Sequence, residues 1–311
     1  MIKILLTGTS GQVGQELRHR LTTLGEVIAV NRQALDLSQP EQIKQLVGEI
    51  KPNIIVNAAA YTAVDRAESE PDLAMAINAT APQAIAEAAQ DIGAKVLHIS
   101  TDYVFNGKNS SPYLETNPTE PLGIYGRSKL LGEIGVQAHC DRHLIFRTAW
   151  VYGSRGHGNF VKTMLKLGAS REELKVVADQ IGSPTWSADI AQGITQLLAC
   201  SLKDESIQGI YHFTNSGVAS WYDLAVATFA EARELGFPLQ VKRVLPISTA
   251  EFPTPTDRPA YSVLSKAKFT AATGVVPAYW RDSLRKMLVE YSELLRTNTS
   301  KPDFHLLVGN R

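Results

Sequence analysis

Apolar positions along the chain follow two rhythms. Short, nearly unbroken apolar runs at residues 2–7, 26–31, 54–57, 95–100 and 143–148 have the length and saturation of strands covered on both faces. Between them, apolar residues recur every third or fourth position. This holds for the segment carrying Leu17, Leu21 and Leu24, and for 40–50, 72–92 and 125–139, as in helices with one buried face. Regular alternation of the two predicts an α/β fold with a doubly wound parallel sheet. Beyond Leu174 the spacing loosens. Shorter strands are expected at 175–178, 210–214 and 241–245, among helices at 188–199, 221–234 and 279–295. Three prolines in residues 252–259 predict an extended loop there.

The first apolar run leads straight into Gly8-Thr-Ser-Gly11-Gln12-Val13-Gly14 and then into a helical pattern. Strand, glycine turn and helix in that order form the dinucleotide cradle of a Rossmann-type sheet. Gly8 permits the tight turn, Gly11 lets the backbone approach a pyrophosphate, and Gly14 lets helix and strand pack closely, while the helix N-terminus offers unpaired N–H groups. The spacing is GxxGxxG, not GxGxxG. After the second strand an acid would hold the adenosine ribose of NAD, but this chain has Asn31-Arg32. Asn31 can still hydrogen-bond a ribose, and Arg32 carries the charge a 2′-phosphate needs, so NADPH and NADH both remain open. Asp36 and Leu37 are further candidates for the adenine side. After the third strand, Ala58, Ala59 and Ala60 leave the backbone accessible to a flat ligand, with Tyr61 and Thr62 beside them. Residues 1–170 are therefore expected to be mainly an NAD(P)-binding domain. Residues 171–296 should be mainly a smaller substrate-binding lobe with some return to the sheet, and 297–311 a polar tail.

The chemistry centres on Tyr125 and Lys129, four residues apart and thus on one face of a helix. A free tyrosine has a pKa of about 10 and handles protons poorly near neutrality unless a neighbouring cation stabilises its phenolate, and Lys129 is the candidate for that cation. The loop after the fourth strand adds the Thr101 hydroxyl, the Asp102 carboxylate and the ring of Tyr103, with Ile99 against the cofactor before it. Charge is balanced at 31 basic and 31 acidic residues, with no basic stretch of the kind nucleic-acid binders carry. The chain has two cysteines, Cys140 and Cys200, without a CxxC pair or His cluster. This suits a reducing cytoplasm, and both thiols read as inert. No apolar run approaches a membrane span, and the chain enters its first strand without room for a signal segment.

Taken together, these phrases resemble the extended short-chain dehydrogenase/reductase superfamily and, within it, the dTDP-4-dehydrorhamnose reductases. They are Ser10-Gly-Gln-Val-Gly14, Asn57-Ala-Ala-Ala-Tyr-Thr-Ala-Val-Asp65, Ala67-Glu-Ser-Glu-Pro71, Ser100-Thr-Asp-Tyr-Val-Phe105, Tyr125-Gly-Arg-Ser-Lys129, Arg147-Thr-Ala-Trp-Val-Tyr152 and Arg258-Pro259 before Ser262-Val-Leu264. The resemblance implies reduction of the 4-keto group of a dTDP-sugar, with Tyr125 as proton donor, Thr101 on the same oxygen and Lys129 holding phenol and cofactor ribose. It also implies that Asp102, Tyr103 and Trp150 contact the sugar, Trp150 through its flat face. Some members are associated with a magnesium ion and a homodimer held by acidic side chains. Glu16 is the matching position found here, and one glutamate makes no metal site, so no metal ligands are assigned. Two alternatives stay open: a nucleotide-sugar epimerase or dehydratase using the same pair, and a non-catalytic subunit resembling the beta subunit of methionine adenosyltransferase.

Overall fold

In the computed structural model, which describes residues 1–156 and 158–297, the chain begins β1 (Lys3–Thr7), α1 (Gln12–Arg20), β2 (Glu26–Ala29), α2 (Pro40–Ile50), β3 (Ile54–Asn57). It continues α3 (Val64–Ala67), α4 (Pro71–Met75), α5 (Ala81–Asp91), β4 (Lys95–Thr101), α6 (Ile124–His139) and β5 (His143–Thr148). The remainder runs β6 (Val151–Tyr152), α7 (Phe160–Gly168), β7 (Glu173–Val177), β8 (Ile181–Gly182), β9 (Thr185–Trp186), α8 (Ser187–Ser201) and β10 (Gly209–His212). It ends β11 (Ala219–Ser220), α9 (Trp221–Glu234), β12 (Arg243–Ile247), α10 (Ala267–Thr273) and α11 (Trp280–Thr297).

The apolar runs make one six-stranded sheet in the order β2-β1-β3-β4-β5-β10, every pair parallel. Successive strand residues point to opposite faces, so each run feeds two cores. Ile4, Leu6, Leu144 and Phe146 pack with Leu17 of α1, Ile190 and Leu197 of α8 and Phe269 of α10. On the other face Leu5, Ile55, Val96 and Ile145 meet Ile43 and Val47 of α2, Ile85 of α5 and Val136 of α6. The chain moves outward from β1 to β2, then crosses back to β3 and onward to β5. That reversal opens a crevice at the carboxyl ends of β1 and β3, where doubly wound sheets bind ligands. A second cluster gathers Val161 and Leu165 of α7, Leu224 of α9 and Leu284 and Leu288 of α11. Tyr152 of β6, Trp186 of β9 and Ala219 of β11 join it, while Leu174 and Val176 of β7, paired with β12, pack in an adjoining cluster on Met164 of α7 and Phe229 of α9. Between them α8, β10 and α10 return to the main sheet.

Several boundaries differ from the sequence expectation for identifiable reasons. β2 stops at Ala29, because Asn31 turns its side-chain oxygen to the backbone N–H groups of Gln33 and Ala34, both at 3.0 Å. β7 and β12 lie two residues off the expected runs, and their mutual parallel register, Arg243 beside Glu173 through Ile247 beside Val177, sets the limits. The helix expected over 72–92 is interrupted by one π-helical turn, Ala76–Thr80. Pro82 has no N–H to donate, and the Asn78 side chain is engaged with both backbone groups of Tyr61 and with the Ser128 hydroxyl. The bulge also lets α6 approach closely: a Cβ at Gly132 would stand 2.1 Å from the Asn78 carbonyl oxygen. α7 and α10 were not anticipated. The tail expected over 297–311 falls, apart from Thr297, outside the described residues. Among the described residues no helix is long and apolar enough to cross a membrane.

α6 is tied to the sheet by a buried ion pair as well as by apolar contact. Arg147 on β5 donates through Nε to Glu133 Oε1 at 2.8 Å and through Nη2 to Oε2 at 2.6 Å, both side chains fully buried. Arg147→Met should cost about 3–5 kcal/mol in urea unfolding, since it strands a buried carboxylate. A loss below about 1 kcal/mol would show that Glu133 does not depend on this partner.

Candidate active site

The glycine turn closes at distances that exclude side chains. Gly8 has φ +70°, and a Cβ on it would lie 2.5 Å from the Ala58 carbonyl carbon and the Ala59 nitrogen; one on Gly14 would lie 2.0 Å from the Gly8 carbonyl oxygen. Gly11 is less confined: its Cβ would meet only the Gly8 oxygen, tightly, at 3.3 Å, and the residue lines the groove. The N-terminus of α1 has no side-chain cap, leaving its first N–H groups for a ligand. These features fit the pyrophosphate of a dinucleotide.

A loop that sequence reasoning passed over covers this turn. Asn159 Nδ2 donates to Gln12 Oε1 at 2.7 Å and to the Gly153 carbonyl at 2.9 Å, while its Oδ1 accepts from the Lys162 N–H that opens α7. Gly156, at φ +72°, brings its backbone so near that a Cβ would be 2.9 Å from the Gln12 nitrogen. The signal was present in the sequence as glycines at 153, 156 and 158 followed by Asn159, a helix-capping residue, ahead of an apolar helical pattern.

The turn opens into a groove of about 770 Å³. Every residue expected at the cofactor or the sugar lines it except Tyr61. Tyr61 points away because its hydroxyl is bound to Glu70 Oε2 at 2.5 Å. Arg32 is exposed at the rim. Asp36 is committed locally, accepting from the Ser38 N–H and hydroxyl, which hold its carboxyl below the usual range.

At the far end of the groove stand the chemical groups. Thr101 ends β4, donating to Asp102 Oδ1 at 3.0 Å and accepting from the Tyr103 N–H at 3.2 Å. Tyr125 is buried in the first turn of α6, and burial raises its pKa against a hydrogen bond to Thr101, so the phenol keeps its proton. Burial also pushes Asp102 up to about 6, against hydrogen bonds from Ser262 and Thr101. Lys129 is brought down to about 8, burial outweighing the attraction of Glu133. Its Nζ donates to the Ile99 carbonyl at 2.7 Å and lies 3.2 Å from His98 Nε2, so its hydrogen bonds go to β4 and not to the phenol. Although Tyr125 and Lys129 share a helix face, the long amine reaches down to the sheet while the ring packs against Tyr103.

Tyr103 packs edge-on against Tyr125, ring centres 5.4 Å apart, and takes a hydrogen bond from Arg258 at 2.8 Å. Arg258 also pairs with Asp65 at 2.7 Å, fastening the 252–259 loop over this end. Trp150 adopts φ +49°, an uncommon conformation for a bulky residue, and its ring lies parallel to Trp221 of α9 at 3.6 Å. Glu16 is less solvated than a plain surface residue. It faces Arg155 at 3.8 Å, and burial together with Glu290 raises its carboxyl. Among the described residues no group of three His, Cys, Asp or Glu is placed to hold a metal ion.

Comparisons with known proteins identify the family and the fold. The family described as the RmlD substrate binding domain matches residues 2–293. A dTDP-4-dehydrorhamnose reductase of Escherichia coli (strain K12) is 46% identical over 293 residues, 93% of this chain and 98% of the relative. The crystal structure of a dTDP-4-dehydrorhamnose reductase from Bacillus anthracis in complex with NADP superposes with a TM-score of 0.86 at 40% identity, covering 93% of this chain and all of that one (100%). A UDP-glucose 4-epimerase of Thermus thermophilus in complex with NAD, at 21% identity and a TM-score of 0.77, shares the fold alone.

Arg32 is the exposed cation at the adenosine end. Arg32→Ala is expected to weaken NADPH binding about tenfold, the size of one charge-assisted contact, and NADH binding less than twofold. Equal changes for the two, measured by cofactor fluorescence, would show that Arg32 does not read the 2′-phosphate.

Proposed function

The chain belongs to the dTDP-4-dehydrorhamnose reductase family of extended short-chain dehydrogenases/reductases, oxidoreductases that use NADPH or NADH, and within it we propose that the chain reduces the 4-keto group of dTDP-4-dehydro-L-rhamnose to give dTDP-L-rhamnose. The observation that carries this reading is that Thr101, Tyr125 and Lys129 line one groove that begins at a glycine turn. The reductase of Escherichia coli is 46% identical over 93% of the chain, whereas the epimerase that shares the fold over 93% of it is 21% identical.

The cofactor, held along the glycine turn, the Ala58–Ala60 wall and Arg32, would supply the hydride. The chain's own residues handle the proton. Tyr125 is protonated at neutral pH because burial disfavours its phenolate, and it donates to the carbonyl oxygen as negative charge develops there. Thr101 would turn its hydroxyl from Asp102 Oδ1 to donate to the same oxygen. Lys129 would hold the cofactor ribose, its amine kept at the sheet by the Ile99 carbonyl. Asp102, Tyr103 and Trp150 receive the sugar. We assign residues 1–170 mainly to cofactor binding and 171–296 mainly to the substrate lobe.

Offering dTDP-4-dehydro-L-rhamnose with NADPH or NADH tests the reading directly. Cofactor oxidation matched by dTDP-L-rhamnose is expected, and its absence with folded protein would turn the assignment toward an epimerase or a non-catalytic subunit. Tyr125→Phe should lower kcat roughly 100-fold or more with NADPH affinity kept, because only the proton donor is lost. Lys129→Met should weaken cofactor binding and turnover together. Near-normal turnover in Tyr125→Phe would remove the phenol from the mechanism.

A further inference from the structure

The parallel register sets Thr7, Asn57 and His98 in one row across β1, β3 and β4, since Thr7 is opposite Asn57 and Asn57 is opposite His98. All three side chains are buried, and they are bonded end to end. Thr7 Oγ1 donates to Asn57 Oδ1 at 2.6 Å, Asn57 Nδ2 lies 3.0 Å from His98 Nδ1, and His98 Nε2 lies 3.2 Å from Lys129 Nζ. The row ends on the lysine of the proposed reduction, and nothing in that mechanism uses it.

The orientation of Asn57 determines where the imidazole proton sits. Its Oδ1 accepts from the Thr7 hydroxyl and, at 3.3 Å, from the Ala59 backbone N–H. Its Nδ2 therefore faces the ring, and the N–H it donates occupies the lone pair of His98 Nδ1. His98 is fully buried beside Lys129, and both conditions hold it uncharged, with its pKa well below the usual value. A neutral ring whose Nδ1 accepts must carry its proton on Nε2, which points at Lys129 Nζ. An amine lone pair accepts that N–H, whereas an ammonium repels it. We infer that His98 is a positioning residue for Lys129, holding Nζ against the Ile99 carbonyl and favouring the uncharged amine, so that this lysine releases its proton more readily than burial alone would allow.

The other groups around Lys129 do not account for such an effect. On α6 itself the charged neighbour is Glu133, which favours the ammonium, and its own charge is taken up by Arg147 from β5. Tyr125, one turn earlier, is an uncharged phenol. From the π-helical turn and α6 come Asn78 and Ser128, neither titratable. Asp102, from the turn after β4, sits at the Thr101 end of the site.

The inference deepens the reductase reading, and its test needs no sugar, so failure of either can be recognised separately. Full-length protein labelled with 13C at lysine Cε is titrated by NMR, with Lys129 assigned from the spectrum of Lys129→Met. In His98→Phe the N–H is gone, and in His98→Gln the carboxamide is free to turn its oxygen to the ammonium. In both, the Lys129 midpoint should rise by roughly half to one pH unit, with NADPH still bound. His98→Gln keeps the test alive should the phenylalanine variant not fold. A midpoint unchanged or lowered in either folded variant, including one that has merely lost thermal stability, would overturn the inference.

Discussion

Everything at the ligand end depends on how closely two backbone segments approach: the turn after β1 and the segment after β3. Gly8 stands against the Ala58–Ala59 peptide at a separation that no side chain could share. That contact sets the floor of the groove and fixes the direction in which α1 leaves the sheet. With Gly14 against the Gly8 carbonyl, the first turn of α1 cannot retreat, and its unpaired N–H groups are held at a constant place. Ala58 to Ala60 then form a low wall because larger residues would fill the crevice made by the strand reversal. Geometry of this kind is not adjusted by small compensations elsewhere, since interiors are close-packed and backbone cannot yield as a side chain does.

Burial is the dominant electrostatic influence in the site. It moves Tyr125 and Asp102 up and Lys129 down, and in each case it is the largest cause, ahead of any single neighbouring charge or hydrogen bond. The direction is common to all three: each is pushed toward its uncharged form. A carboxyl near 6 and an amine near 8 lie on either side of neutrality, so modest changes in solvation or contact alter which of them is charged. The Glu133–Arg147 pair matters here beyond stability. Were Arg147 absent, Glu133 would bear on Lys129 alone and raise its affinity for a proton.

The parts legible in the sequence are those governed by local pattern. Five apolar runs became sheet strands within about two residues because strands buried on both faces leave a continuous apolar trace. The glycine turn, the alanine wall and the Tyr125–Lys129 spacing could be read because their chemistry lies in consecutive residues. What escaped depends on partners distant in sequence. His98 looks like one more residue inside a strand until the register sets it between Asn57 and Lys129. Asn159 reaches Gln12 across most of the chain, and Tyr61 was lost to the groove because Glu70 took its hydroxyl. The π-helical turn arose from Asn78, whose side-chain bonds no periodicity could announce.

The sugar end follows a different logic from the cofactor end. Close backbone contacts are present here too, Gly126 against the Tyr103 carbonyl and Gly107 against Pro259, but side chains from both parts of the chain meet over it. Trp150 leaves β5 in a strained backbone conformation and lays its ring on Trp221 of α9, with Gly182 beneath, where a Cβ would stand 2.4 Å from the indole. Arg258 reaches from the loop after β12 to Tyr103 and Asp65. A non-glycine residue at positive φ persists only where its surroundings overdetermine it, and here a stacked indole on one side and a glycine on the other do so. The strain therefore marks Trp150 as a residue whose ring orientation the fold maintains.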